Sequence, residues 1–173
     1  GGGFALWVGS SGQVARWRDG AFEVAPADQD ASWGRVLATE ITDTLLGERR
    51  QWLATEHHGL LHRRVDANGD AAGAWQEASI PGLGRFPFTD LERSIQDGKE
   101  ALWIVTYGSG LFRLDADGLR VWRAGLDGLP SEAIYSALAS RSPQGDTQMW
   151  FASRAGLIRM RGDEMRVFDR RHG

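Results

Sequence analysis

The sequence predicts an all-β chain of four-stranded antiparallel blades, an incomplete β-propeller of about four blades whose first blade lacks its inner strand. Three observations carry this expectation. Trp7, Trp52, Trp103 and Trp150 recur at intervals of roughly 45 to 50 residues, the period of solenoids, arrays and propellers. Their contexts match: LWVGSSGQVARW (6–17), QWLATEHHGLLHR (51–63), LWIVTYGSGLFRL (102–114) and MWFASRAGLIRM (149–160). Short runs rich in Val, Ile, Leu, Trp and Phe, bounded by Gly, Asp, Asn and Pro, read as strands, and helical periodicity is nowhere sustained over a dozen residues.

With strands lettered A to D outward from the inner edge, strand B carries the repeat tryptophan, and strand C follows a glycine: Gly59-Leu60-Leu61-His62, Gly110-Leu111-Phe112-Arg113 and Gly156-Leu157-Ile158-Arg159. Strand A precedes the later tryptophans as Arg35 to Thr42, Phe88 to Ile95 and Ala133 to Ser140. Strand D is expected at Ala21 to Val24, Ala74 to Ala78, Leu119 to Arg123 and Glu164 to Asp169, after Asp19-Gly20, Asn68-Gly69, Asp117-Gly118 and Gly162-Asp163, which are hairpin signals. Four strands per repeat make a propeller blade. The whole chain, 1–173, reads as one partial propeller with blades near 1–24, 35–78, 86–124 and 133–170. Trp52, Trp103, Trp150 and Trp7 are expected to fill the wedges between blades, with Trp17, Trp75 and Trp122 sharing that role.

Composition bounds the function. The 173 residues are 42% hydrophobic and 25% charged, with 20 basic against 23 acidic side chains and a net charge of −3. This is ordinary globular composition, and without a basic patch nucleic acid is not an expected partner. The absence of cysteine excludes disulfide frameworks, zinc-thiolate sites and thiol nucleophiles. No run approaches the 18 or so apolar residues of a membrane span. The chain opens Gly1-Gly2-Gly3 with Met149 as its first methionine, so it reads as a piece of a longer polypeptide. The unclosed sheets of such a piece are expected to drive self-association.

The stretch LWIVTYGSGLFRLDADGLRVW (102–122), then Gly128-Leu129-Pro130-Ser131, then IYSALAS (134–140) and the next tryptophan resembles the two-component regulator propeller repeat. The resemblance is strongest over 101–173. It weakens through Gly82-Leu83-Gly84 ahead of Phe88, and the first repeat has Ala25 to Trp33 in place of the motif. It implies a ligand-sensing propeller from the periplasmic region of a bacterial inner-membrane receptor. Such a receptor continues into further blades and a histidine kinase or diguanylate cyclase domain, and the segment itself is not an enzyme.

Antiparallel order sorts the loops, with B–C and D–A connections at one end of the blades and A–B and C–D at the other. The first end collects Trp33, Glu56, His57, His58, Arg85, Tyr107, Ser109 and Arg154. These groups suit a polar ligand such as a sugar, an oligosaccharide or a carboxylate. Trp33, outside the tryptophan repeat, is the aromatic expected to stack on it. His57, His58 and His62 invite a metal reading, yet adjacent histidines rarely chelate one ion and His62 falls within a strand, so no metal is expected. Asp66-Ala67-Asn68-Gly69-Asp70 with Glu77 has the spacing of a calcium loop, but Ala71 stands where the turn glycine belongs. A C–D hairpin is the better reading. No catalytic triad can be assigned and no cofactor is implied. Two alternatives stand beside the sensor: a lyase-like propeller acting on a polysaccharide or lactone through His57 or His58 with Tyr107, and a protein-interaction propeller.

Overall fold

The computed structural model describes residues 6–10, 12–24 and 33–170. Gly1–Gly3 and most of the Ala25–Trp33 connection lie outside the described residues. The described residues form fifteen strands in four antiparallel sheets, each a blade of an incomplete propeller, in strict sequence order. Blade 1 has three strands, β1 (Leu6–Ser10), β2 (Gln13–Arg18) and β3 (Ala21–Val24). Blade 2 comprises β4 (Val36–Thr42), β5 (Arg50–Thr55), β6 (Gly59–Arg64) and β7 (Gln76–Glu77). Blade 3 is β8 (Phe88–Gln96), β9 (Lys99–Thr106), β10 (Leu111–Asp115) and β11 (Gly118–Trp122). Blade 4 is β12 (Ile134–Arg141), β13 (Thr147–Ser153), β14 (Gly156–Arg161) and β15 (Glu164–Phe168). A 3-10 turn spans Leu45–Gly47, and among the described residues no helix is long and apolar enough to cross a membrane.

The inner strands β4, β8 and β12 lie side by side. Each carries a register shift at the same place, Val36/Ala38, Phe88/Asp90 and Ile134/Ser136, so the bend that aims an inner strand is part of the repeat. Strand D of blade 2 shrinks to two residues. Asp66 Oδ1 accepts the N–H groups of Asn68 and Asp70 at 2.8 Å, a self-closed turn that diverts the backbone before Trp75.

The core sits between blades rather than within them. Trp7 and Trp75 pack with Val14, Trp33, Val36, Leu53 and Leu61 at the junction of blades 1 and 2. Trp52, Leu60, Leu102 and Phe112 fill the next junction, and Trp103, Trp122, Phe151 and Ile158 the third. A repeat tryptophan in each of blades 1 to 3 thus wedges against the blade that follows. The indole N–H is satisfied in the same way each time: Trp52 donates to Thr42 Oγ1, Trp103 to Ser94 Oγ and Trp150 to Ser140 Oγ, at 2.9 to 3.0 Å. A buried tryptophan therefore leaves no unpaired polar atom.

Carboxylates stitch the inner strands together. Asp90 and Glu92 of β8 accept the backbone N–H groups of Ala137 and Ala139 in β12, at 2.9 and 2.7 Å, and Glu40 of β4 accepts that of Arg93 in β8 at 3.3 Å. Glu100 folds the A–B connection of blade 2 onto blade 3 by accepting the N–H groups of Asp43, Thr44 and Leu45 at 2.6 to 2.8 Å.

Candidate functional site at the B–C loop end

The B–C turns are short and locked by a hydroxyl. Thr55, Thr106 and Ser153 each donate to the carbonyl of the glycine that opens strand C, at 2.8, 2.6 and 2.7 Å. Each also accepts an N–H from within the turn, of His58, Ser109 and Ala155 respectively. The glycines Gly110 and Gly156 have φ of 84° and 122°, and a Cβ at either would lie 2.4 Å from the carbonyl oxygen of Trp122 or Phe168. Only glycine permits both the turn and the close approach of strand D.

The residue after each hydroxyl is thereby fixed. Glu56, Tyr107 and Arg154 donate their backbone N–H to Arg35, Pro87 and Ala133 at 3.0, 2.8 and 3.0 Å. These are equivalent positions in blades 2, 3 and 4, each tied to the segment entering the inner strand, and all three side chains are exposed. The end of the blades thus displays an acid, a phenol and a guanidinium from one repeated backbone frame.

Around this frame the charges are paired. Glu56 accepts the N–H of Arg35 at 3.1 Å and also meets its guanidinium, and these bonds hold its carboxyl below the ordinary range. His58 Nδ1 lies 3.1 Å from Glu77, and Arg85 Nη2 donates to both Glu77 carboxylate oxygens at 2.7 and 2.9 Å. Arg85, then His58, lowers the Glu77 pKa. The His57 ring packs over Gly34, where a Cβ would lie 2.7 Å from Nδ1. Arg123 donates to the Ser109 carbonyl at 2.6 Å and lies over the Phe112 ring.

The expectation for Trp33 changes. Trp33 is only 7% exposed and packs edge-on against Trp75 at 5.7 Å between ring centres. It fills the junction of blades 1 and 2 together with Trp7 and Trp75. The three histidines are not brought together: His62 lies in β6 with Nδ1 2.6 Å from Arg50 Nη1, while His58 turns to Glu77. Burial, then the Arg50 charge, lowers the His62 pKa. In the Asp66–Asp70 turn, Asp70 is held by Arg16 of blade 1 at 2.5 Å, so that carboxylate joins blades.

Sequence reasoning missed Tyr135. It stands at the start of β12 and its ring lies 6.0 Å from that of Tyr107. These are the two tyrosines of the chain, and both are about half exposed. Its only signal was a polar-tipped aromatic four residues after Ser131 of Gly-Leu-Pro-Ser, read as an ordinary strand residue.

No protein-family model and no curated protein matches the chain. Solved structures do. The extracellular domain of BT3049 from B. thetaiotaomicron, assigned to the hybrid two-component systems, aligns with a TM-score of 0.66 at 21% identity, covering 98% of this chain and 22% of that one. BBS1N, solved in complex with ARL6DN, aligns with a TM-score of 0.59 at 13% identity, covering 96% of this chain and 48% of that one. At these identities the likeness is one of fold. The chain spans about a fifth of the length of the first and about half of the second.

Proposed function

We propose that the chain is an extracytoplasmic ligand-sensing propeller module of a two-component-type receptor, non-catalytic in itself, with Glu56, Tyr107, Arg154 and Tyr135 receiving a small polar ligand. The observation that carries this reading is the display of three chemically different side chains from one repeated backbone position, beside an exposed tyrosine pair. The fold likeness to an extracellular domain of a hybrid two-component system supports the setting. A sugar bearing a carboxylate would satisfy the site: a ring face over the tyrosines, its acid on Arg154 and its hydroxyls on Glu56. Such a ligand signals only by its different affinity for two arrangements of the receptor.

Calorimetric titration with neutral and uronate-containing oligosaccharides tests this. Binding is expected with the acidic sugars, and Tyr107→Ala or Arg154→Ala should weaken it roughly tenfold each, the effect of about 1.4 kcal/mol. Binding that survives both substitutions would place the ligand elsewhere on the molecule.

A further inference from the structure

We propose that the junction of blades 1 and 2 holds a binding site for a small α-amino acid with an aliphatic side chain, in a cleft walled by Trp7, Arg16, Glu23, Arg63 and Asp70. The junctions between blades set equivalent positions against one another, and strand register identifies them. On the face turned toward the preceding blade, strands B and C carry Leu102 and Leu114 in blade 3 and Met149 and Met160 in blade 4. All four are buried. Blade 2 has Gln51 and Arg63 there, equally buried, and the Arg63 guanidinium donates twice to Gln51 Oε1, at 2.8 and 3.0 Å. Packing changes with the chemistry. Beside Trp103 and Arg113, the two methionines leave a void of about 10 Å³ at the junction of blades 3 and 4. Beside Trp7 and Arg16, the equivalents in blade 1, the cleft measures about 140 Å³.

A space of that size is about what holds a six-membered ring, and its walls select what enters. Arg16, with its side chain 6% exposed, is bound by Glu23 at 2.9 Å and by Asp70 at 2.5 Å. Its bond to Asp70 holds that carboxyl below the ordinary range. The Arg63 guanidinium lies 4.5 Å from the Trp75 ring centre, and those of Arg63 and Arg16 stand 5.8 and 5.5 Å from that of Trp7. Among the described residues the walls thus carry two guanidiniums and two carboxylates. A simple anion there meets the carboxylates and a simple amine meets the guanidiniums, so each is opposed by like charge; a zwitterion answers both signs. Glu23 and Asp70 are each about half exposed, and a carboxylate accepts more bonds than one arginine supplies. The ligand ammonium takes that side. Its carboxylate faces Arg63, whose planar fork suits two oxygens. Val24, Ala71 and the Trp7 indole give the aliphatic side chain an apolar wall.

Calorimetric titration of the 173-residue chain with L-leucine, isoamylamine and isocaproate tests the proposal. The first carries both charges; the others lack its carboxylate or its ammonium. L-leucine is expected to bind, and each single-charge analogue to bind more weakly by roughly tenfold or more. Glu23→Gln changes a half-exposed side chain, so the variant should fold, and it should weaken L-leucine roughly tenfold. Gln51→Met and Arg63→Met made together copy the pair that fills the equivalent place in blade 4, and should abolish binding. No heat with L-leucine, equal affinity for the three compounds, or L-leucine binding undiminished in either variant would each overturn the proposal. Binding of D-glucose in place of L-leucine would do the same, since the walls would then serve hydroxyls rather than paired charges. Arg63 and Asp70 lie toward the end of the blades opposite the B–C turns, so failure here and failure of ligand binding at Glu56, Tyr107 and Arg154 are separate results.

Discussion

The junction between blades 3 and 4 and the outward face of blade 4 are made of nearly the same side chains in the same places, and they differ in what lies across from them. Trp103, Leu111 and Trp122 are sealed beneath Met149, Phe151 and Ile158. Trp150, Leu157 and Phe168 repeat that arrangement with no blade over it. The local chemistry does not change with cover: the Trp150 indole still bonds Ser140, and Ser153 still closes its turn. Blade geometry is thus written within each repeat by turns and strand pairing, whereas stability is written between repeats, as in other repeat architectures.

The largest test of that contrast is a charge placed at the same position on both sides. Leu111→Asp buries an unpaired carboxylate and should cost about 4 kcal/mol or more, enough to unfold much of the chain in a denaturant titration. Leu157→Asp should cost under about 1 kcal/mol, since that side chain already meets water. Equal costs would mean that the outward face is covered. Truncating the tryptophans is the next test. Trp52→Ala removes a wholly buried ring and should lose about 3 to 5 kcal/mol, with Trp150→Ala losing less than half of that.

Glycine should erase the contrast rather than show it. Gly110→Ala and Gly156→Ala each force a left-handed backbone and drive a Cβ into a carbonyl oxygen within the same blade. Both should lose about 2 kcal/mol or more, covered junction or not. A large difference between the two variants would show that the turns take their geometry from the neighbouring blade.

Much of this was legible in the sequence, and for identifiable reasons. Tryptophan and Gly-Leu recur because each sits where a repeated wedge or turn admits few alternatives, so the blades and their strand order could be read without coordinates. Glu56, Tyr107 and Arg154 were legible as loop residues, since each follows the hydroxyl that closes a B–C turn. Their equivalence was not, because it depends on a backbone bond to a segment some 20 residues earlier in the chain. Trp33 misled because a loop tryptophan looks free until the wedge it fills is known. The carboxylates Glu40, Asp90 and Glu92 were invisible as a set: each alternates in a strand like any solvated residue, and the bond that each makes to the neighbouring inner strand cannot be read from its own strand.

Those carboxylates separate covered from uncovered positions most finely. Burial, the largest cause, pushes the pKa of Glu40, Asp90 and Glu92 up, and for Glu92 the nearby Glu40 and Asp90 charges add to it. The folded state then binds protons more tightly than the unfolded chain, so stability falls as pH rises from the ordinary carboxylate range through the raised values. Glu100 runs the other way. Burial alone would raise its pKa, but three backbone N–H bonds and Arg93 together hold it below the ordinary range, so its contribution is present above that range and lost as pH falls through the lowered value. For these four groups together, stability should peak near the ordinary carboxylate range and decline on either side. Glu92→Gln keeps an acceptor for the Ala139 N–H while removing the charge; it should stabilise the chain at neutral pH by about 0.5 kcal/mol and flatten the decline. Leu138 is the equivalent of Glu92 in blade 4 and is exposed. Leu138→Glu installs the same carboxyl without the cover, and thermal melts across pH should show its slope unchanged from the parent. A steeper slope would mean that burial by a following blade is not what raises these groups.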